Sequence, residues 1–286
     1  LYRIRRARSE DKDKVLSFCT HTFNWGDYID QVWDYWYNDA NGRLLVAESG
    51  RGKRIAVSHV ALCPGRKKIW LEGIRVHPAH RRLHLATSLI DAMISYGLRK
   101  GAGEAYAIVS KDNAASHQMM KKNGFKAISR WAYYAIAGKK DQQQSEERLA
   151  RLIEIGDIWN YLKASKIYEL SARSYVRSWH WYPLDHGELR NLITEKRVVV
   201  TGTPINGVAI IDKTGYWTRK DVLQIVYLDS ISTSTIRNLI SFAANKYKYE
   251  RLQVVCQQNK KMLSTIENFQ VQESEQFLLY RKAFTQ

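Results

Sequence analysis

Apolar and polar positions along this chain change period repeatedly, and the changes mark its elements. Tyr2 and Ile4 alternate with arginines through residues 1 to 8, as in an edge strand with one wet face. Ser9, followed by Glu10, Asp11 and Asp13, predicts a capped helix running to about Phe18. Ile29, Val32, Trp33 and Trp36 then recur at helical spacing, within an aromatic stretch that also holds Phe23, Trp25, Tyr28, Tyr35 and Tyr37. Asn41-Gly42 turns the chain into a strand from Arg43 to Glu48, and a second follows from Arg54 to Cys63, its alternation slipping near Ser58-His59. Pro64-Gly65 leads to a third strand, Lys68 to Val76. Leu85, Leu89, Ile90, Met93, Ile94 and Leu98 trace a helix stopped by Gly101. Ala105 to Val109 reads as a strand, Asn113 to Phe125 as a helix, and Ile128 to Ile136 as the strand closing the first half.

The polar run from Ala137 to Ala150 lacks apolar periodicity at its start and marks a boundary, dividing the chain into domains 1–140 and 153–286 joined by a linker, 141–152. The second half repeats the order of the first. Helical segments (157–172, 188–195) precede strands (197–201, 207–212, 222–229), a helix (233–246), a strand (252–256), a helix (259–268) and a final strand (276–281). Asn259 and Phe269 fall where Asn113 and Phe125 fall in the first copy.

Composition narrows the picture. The 286 residues, 45% hydrophobic, suffice for two buried cores, and no apolar run approaches the roughly 18 residues of a membrane span. The N-terminus has no apolar signal core, and Cys19, Cys63 and Cys256 show no metal-like spacing, so a reducing, cytoplasmic setting is expected. With no initiator Met, the sequence is expected to begin a few residues inside its gene product. Residues 1–140 carry 25 Lys and Arg against 12 Asp and Glu, so most of the +17 net charge lies in the first half. Such a half attracts an anionic cofactor, an acidic protein or a nucleic acid, and charge alone does not choose.

The stretch from Leu71 to Thr87 has the layout of a phosphate cradle: a strand, a Pro-containing turn, a basic loop with Arg81 and Arg82, and a helix N-terminus with free N–H groups. Val76-His77-Pro78, followed by Arg81-x-x-His84-x-Ala86-Thr87, resembles the acetyl-CoA signature of the GNAT superfamily of N-acetyltransferases, with His84 in place of the middle Gly. Asn113 to Phe125 resembles that family's second motif, an Asn opening a helix and a Gly-Phe pair closing it.

The resemblance implies an α/β (α+β) chain of two GNAT-like domains, each a mixed, mostly antiparallel sheet flanked by helices. The second lacks the cradle and is read as degenerate, a cap on the acceptor side. Acetyl-CoA is the implied co-substrate, with no metal. Backbone groups of Ile74, Arg75 and Val76 would hold its pantetheine arm, which in the family lies beside the second-motif helix that carries Asn113 and Met120. The loop residues Arg81, Arg82, Leu83, His84, Leu85, Ala86 and Thr87 would hold its pyrophosphate. Glu72 is the candidate base, against the alternative of a structural acid paired with an arginine, and burial is expected to raise its pKa. It stands two residues before Ile74 and is expected on the same strand face. Met120 occupies the place of the family's acid Tyr and cannot donate a proton. Ser116, a water, Tyr133 or Tyr134 would then protonate the thiolate, or no acid is needed.

A side chain at His84 costs on the order of 1 kcal/mol if the position needs positive φ. Three outcomes stay open: an intact site with a His donor, a weakened cofactor site, and a fold without catalysis. Trp25 and Tyr28 would form an acceptor wall or simply a buried stripe. Arg177, in the aromatic and basic run Tyr175 to Pro183, would hold an acceptor carboxylate or only pack. His77, His80 and His84 lack the carboxylate or Cys that would complete a metal set. The expected activity is acetyl transfer to a primary amine on a small molecule or protein. The competing reading is a catalytically weak binding module for an acidic protein or nucleic acid, disfavoured by the lack of an RNA-recognition motif.

Overall fold

The computed structural model describes residues 1–20, 26–63, 65, 67–137, 146–213, 221–249 and 251–284. The chain divides into two compact units, Leu1–Ala127 with Leu279–Gln286, and Ile128–Leu278.

The first unit runs β1 (Tyr2–Arg6), α1 (Lys12–Cys19), α2 (Ile29–Tyr37), β2 (Gly42–Ser49), β3 (Arg54–Cys63), β4 (Lys68–Val76), α3 (Leu85–Arg99), β5 (Glu104–Ser110) and α4 (Ala114–Lys122). β1 to β4 form an antiparallel meander, and β5 joins β4 in parallel. The helical spacing in α2 has its expected consequence: Ile29, Val32, Trp33 and Trp36 are all buried. α3 buries Leu85, Leu89, Ile90 and Met93. Behind β1, Asp11 is fully buried and takes a two-pronged ion pair from Arg5 at 2.7 and 2.9 Å, a further bond from Arg54, and the Arg8 N–H at 2.8 Å.

The second unit runs from β6 (Lys126–Ala137) through β7 (Arg148–Leu149), α5 (Ile155–Ala164), α6 (Lys166–Leu170), β8 (Ser174–Arg177), β9 (His180–Pro183), α7 (His186–Thr194), β10 (Val198–Thr201), β11 (Gly207–Asp212), β12 (Leu223–Asp229), α8 (Thr233–Tyr247), β13 (Arg251–Gln257) and α9 (Lys260–Ile266) to β14 (Val271–Ala283). Its strand order is β6-β13-β12-β11-β10-β7, with β12 and β13 the parallel pair. The β8–β9 hairpin, not foreseen in the aromatic run, turns through Ser178 and Trp179, both at positive φ. Arg148 and Leu149, placed in the linker by composition, pair instead with β10.

Strand closure differs from the simple expectation. Residues 128–137 of β6 pair with β13 in the second unit, whereas Leu279 onward belongs to the first. There the last strand follows β5 in the sheet order, and Phe284 N–H bonds to the Gly103 carbonyl at 2.8 Å. Both segments are suitably apolar, and no local signal says which unit each completes.

Candidate active site

β4 and β5 pair only over Lys68↔Glu104, Ile69↔Ala105 and Trp70↔Tyr106. No pairing between them continues past Trp70 and Tyr106, while β4 stays bonded to β3 as far as Ala56↔Val76. The β5-facing edge of β4 at Ile74 to Val76 therefore lies beyond the β4–β5 register found among the described residues.

α3 begins just beyond this edge. Arg82 and His84 stand at φ 64° and 58°, and Arg81 to His84 are all exposed. Alternating left-handed residues turn successive N–H groups toward one concavity, the form of a backbone anion nest. His84 is the N-cap of α3, and its side chain makes no capping bond. The N–H groups of the first turn, Leu85 to Thr87, thus face outward with the positive end of the helix dipole behind them. The equivalent helix of the second unit is different: Ser232 caps α8 and accepts from Thr235 N–H. One helix has a side-chain cap at its N-terminus, and the other has none.

A bulge shapes the middle of β4. Val57 faces Arg75 and His59 faces Glu72, so three steps along β4 match two along β3. Glu72 consequently shares its strand face with Arg75 and not with Ile74, which corrects the period-two expectation. Gly73, at φ +65°, supplies the extra residue, and a Cβ built there would lie 2.5 Å from the Trp36 ring.

That face carries a connected set of side chains. His59 Nδ1 lies 2.8 Å from Glu72 Oε1, and Nε2 lies 3.4 Å from Asp39 Oδ2, an ion-pair distance without hydrogen-bond alignment. The imidazole has no exposed surface and stacks on Trp36, 4.9 Å between centroids and 7° between planes. Burial lowers the pKa of His59, but Asp39 and Glu72 outweigh it and raise the value overall. For Asp39, burial acts upward, and the nearby His59 ring and the bond from the Asn41 N–H pull the pKa below the usual carboxylate value.

Beside them Arg75 makes a two-pronged ion pair with Asp27, at 2.7 and 3.0 Å, and lies 5.1 Å over the Tyr28 ring. Burial raises the pKa of the Tyr28 phenol. Tyr28 in turn meets Trp36 edge-on at 6.1 Å. Trp36 is thus core, as the buried-stripe reading has it, and it also backs the His59–Glu72 pair. Trp25 lies outside the described residues.

On α4, the Asn113 side chain is the N-cap, accepting from Ser116 N–H at 3.0 Å. Ser116 is half-buried, and Met120 is buried in the core. His117 Nε2 lies 3.0 Å from the Lys111 carbonyl and Nδ1 lies 2.9 Å from the Tyr280 hydroxyl. A carbonyl only accepts, so Nε2 carries the hydrogen and Tyr280 donates to Nδ1. Tyr133 and Tyr134 lie on the part of β6 that belongs to the second unit, which leaves Tyr280 as the closing-strand tyrosine of the first. Arg177 is exposed on β8 of the second unit. His77, weighed as a metal ligand, accepts from Ala79 N–H and caps a short 3₁₀ turn. Sequence reasoning missed His59, Asp39, Asp27 and Tyr280; the slipped alternation at Ser58-His59 was the one local sign of the bulge.

Residues 10–125 match the sequence profile of the Acetyltransferase (GNAT) family. Three solved structures share the fold over 99% of the chain. They are a proposed acetyltransferase of Thermoplasma acidophilum (16% identity, TM-score 0.59, all of that chain covered), a GCN5-related N-acetyltransferase of Sphaerobacter thermophilus (10%, 0.60, 95% covered), and a proposed acetyltransferase of Pyrococcus horikoshii (12%, 0.55, 90% covered). At these identities the likeness is one of fold. A search of curated protein sequences found no match.

Proposed function

We propose that the first unit is an acetyl-CoA-dependent N-acetyltransferase acting on a primary amine. The observation that carries this reading is the N-terminus of α3, without a side-chain cap, set behind the left-handed residues Arg82 and His84 and beside the end of β4 that lies beyond its register with β5. This chain's residues fit the cofactor's two demands. N–H groups of Leu85 to Thr87, with Arg81 and Arg82, suit a pyrophosphate, and the backbone of Ile74 to Val76 suits the amides of a pantetheine arm. When bound, acetyl-CoA supplies a thioester carbonyl open to attack by an amine.

Glu72 takes the proton from that amine. Its Oε1 is held by His59, and Oε2 is the atom assigned to the amine hydrogen. Tyr28, Trp36 and Arg75 form the wall beside it. With Met120 unable to donate, Ser116, one helical turn earlier on α4, is assigned to the departing thiolate. The second unit, whose α8 is already capped by Ser232, is read as a copy without the cofactor site.

The test is titration of the full chain with acetyl-CoA by calorimetry, followed by thiol release with an amino acid, a lysine peptide, a peptide with a free N-terminus and a polyamine. We expect binding, and release with at least one acceptor. Glu72→Gln should lower kcat about 10²–10⁴-fold without changing acetyl-CoA affinity. Absence of binding at millimolar acetyl-CoA overturns the reading and leaves a scaffold for an acidic partner. No nucleic acid or membrane is required, and no helix among the described residues is long and apolar enough to cross one.

A further inference from the structure

His59 is a buried ring between two acids, and hydrogen-bond chemistry limits what form it can take. A carboxylate only accepts hydrogen bonds. Nδ1 faces Glu72 Oε1 at 2.8 Å and Nε2 faces Asp39 Oδ2 at 3.4 Å, so each nitrogen must present a hydrogen or turn a lone pair toward negative charge. The ring that satisfies both is the imidazolium.

Two independent features fit that charge. The Trp36 indole lies flat against the ring, at 4.9 Å and 7°, offering its electron-rich face to a cation. Gly42 keeps the space open, since a Cβ there would come within 2.6 Å of Nε2. The backbone thus leaves room for a fully buried charged ring with a carboxylate at either end.

From this geometry we propose that His59 is a positioning residue that acts as a fixed cation behind Glu72, aiming its carboxylate and holding it ionised, with Asp39 keeping the ring charged. The proposal rests on Glu72 being the base and says how that base is set. It also reverses one expectation. A carboxyl in a dry cleft alone drifts toward neutrality, whereas one against an imidazolium stays ionised to lower pH. Glu72 is then ready to accept a proton well below neutral pH, and its own titration sets the lowest acid limb of the kcat/KM profile.

Other ionisable groups among the described residues also stand around Glu72 and His59. Tyr28 and Tyr35, from the start and outer face of α2, are neutral phenols with raised pKa values. Arg75, on β4, is paired with Asp27. Asp39 is the remaining acid, and its charge works against that of Glu72 and for that of His59.

Three variants of the full chain, with acetyl-CoA and whichever acceptor releases thiol, test the proposal. Asn at position 59 can place an amide N–H where Nδ1 stands but carries no charge, and Phe offers neither. His59→Asn should recover much of the kcat lost in His59→Phe, and both should move the acid limb of the kcat/KM profile upward by about 1–3 pH units. The KM for acetyl-CoA should stay constant. In ¹⁵N spectra of the imidazole, both nitrogens of the native ring should carry hydrogen at pH 7, and Asp39→Asn should lower the pH at which one is lost. An acid limb in His59→Asn that superimposes on the native one, or a singly protonated ring at pH 7, overturns the proposal. If Glu72→Gln is fully active, it is the base assignment that fails. If Glu72→Gln is inactive while His59→Asn and His59→Phe are native in every respect, only the role of His59 falls.

Discussion

Tyr280 donates its hydroxyl hydrogen to His117 Nδ1 across 2.9 Å, joining residues 163 apart in sequence inside the first unit. The same strand sends Arg281 to Glu104 at 2.6 Å and places Lys282 over the Phe125 ring at 5.9 Å. Tyr280→Phe should lower stability by about 1 kcal/mol, the usual worth of one internal hydrogen bond, read as a lower urea midpoint. Truncation after Leu278 should do far more, because it strips the strand next to β5, and acetyl-CoA binding should be lost with it. A truncated chain that binds acetyl-CoA like the full one would show that the first unit does not need this strand.

Asp11 anchors the other edge of the same unit. It is fully buried and paired with Arg5 and Arg54, whose side chains are 12% and 9% exposed. Burial raises its pKa, but the bonds from Arg5, Arg8 and Arg54 overcome this and hold the value far below the usual range. Asp11→Asn leaves two enclosed guanidinium groups short of a carboxylate and should cost about 3 kcal/mol. A folded pKa lower than the unfolded one gives stability that is present above the unfolded value, about 3.9, and is lost as pH falls toward the folded one. The native chain should therefore lose its advantage over Asp11→Asn on acidification, and a gap independent of pH would refute the account.

Asp229, in the second unit, has the opposite sign. It is buried among hydroxyl donors, Tyr227 at 2.6 Å, Ser165 at 2.9 Å and Tyr161 at 3.1 Å. Burial raises its pKa, and the three hydroxyls only partly offset it. A raised folded value means stability that is full below the unfolded pKa and declines as pH rises through the folded one. Asp229→Asn should gain on the native chain between pH 4 and pH 7 in urea titrations. Equal midpoint differences at both pH values would sink the idea.

His84 offers a test of the cradle. At φ 58° a side chain is strained by about 1–2 kcal/mol, and Gly relieves this while gaining unfolded-state entropy of similar size. His84→Gly should melt within a few degrees of the native chain, whereas the β-branched His84→Val should be clearly less stable. If the imidazole assists the phosphates, His84→Gly should bind acetyl-CoA more weakly with an unchanged melting temperature. Tighter binding by the Gly variant would mean that the side chain only obstructs.

What could be read from the sequence was local. The stripe in α2, the strand Lys68–Val76, the Asn113 cap and its counterpart Asn259 all depend on neighbours within a few residues, and each is found where its pattern placed it. The slip at Ser58-His59 was visible as a fault in alternation, but its partner Gly73 was not, because a bulge is a property of two strands. His59 could not be tied to Asp39 and Glu72 before the register between β3 and β4 was known. The exchange between β6 and β14 lay further out of reach, since both read as apolar alternating strands and only long-range pairing distinguishes them. A positive φ was raised at His84 only because it stands in the place of a Gly, and at Arg82 it went unread, since Arg is neither Gly nor Asn, the residues that usually signal such backbone.

The division of β14 also orders events during synthesis. On the ribosome the first 127 residues emerge well before residues 279–284, with the whole of the second unit between them. Through that interval β5 has no strand on its outer side from its own unit, and His117 waits for Tyr280. An exposed edge of this kind is open to pairing with another nascent chain. The proposed acetyl-transferring unit is thus begun before the second unit and completed after it, and its maturation depends on translation of the segment between its two pieces.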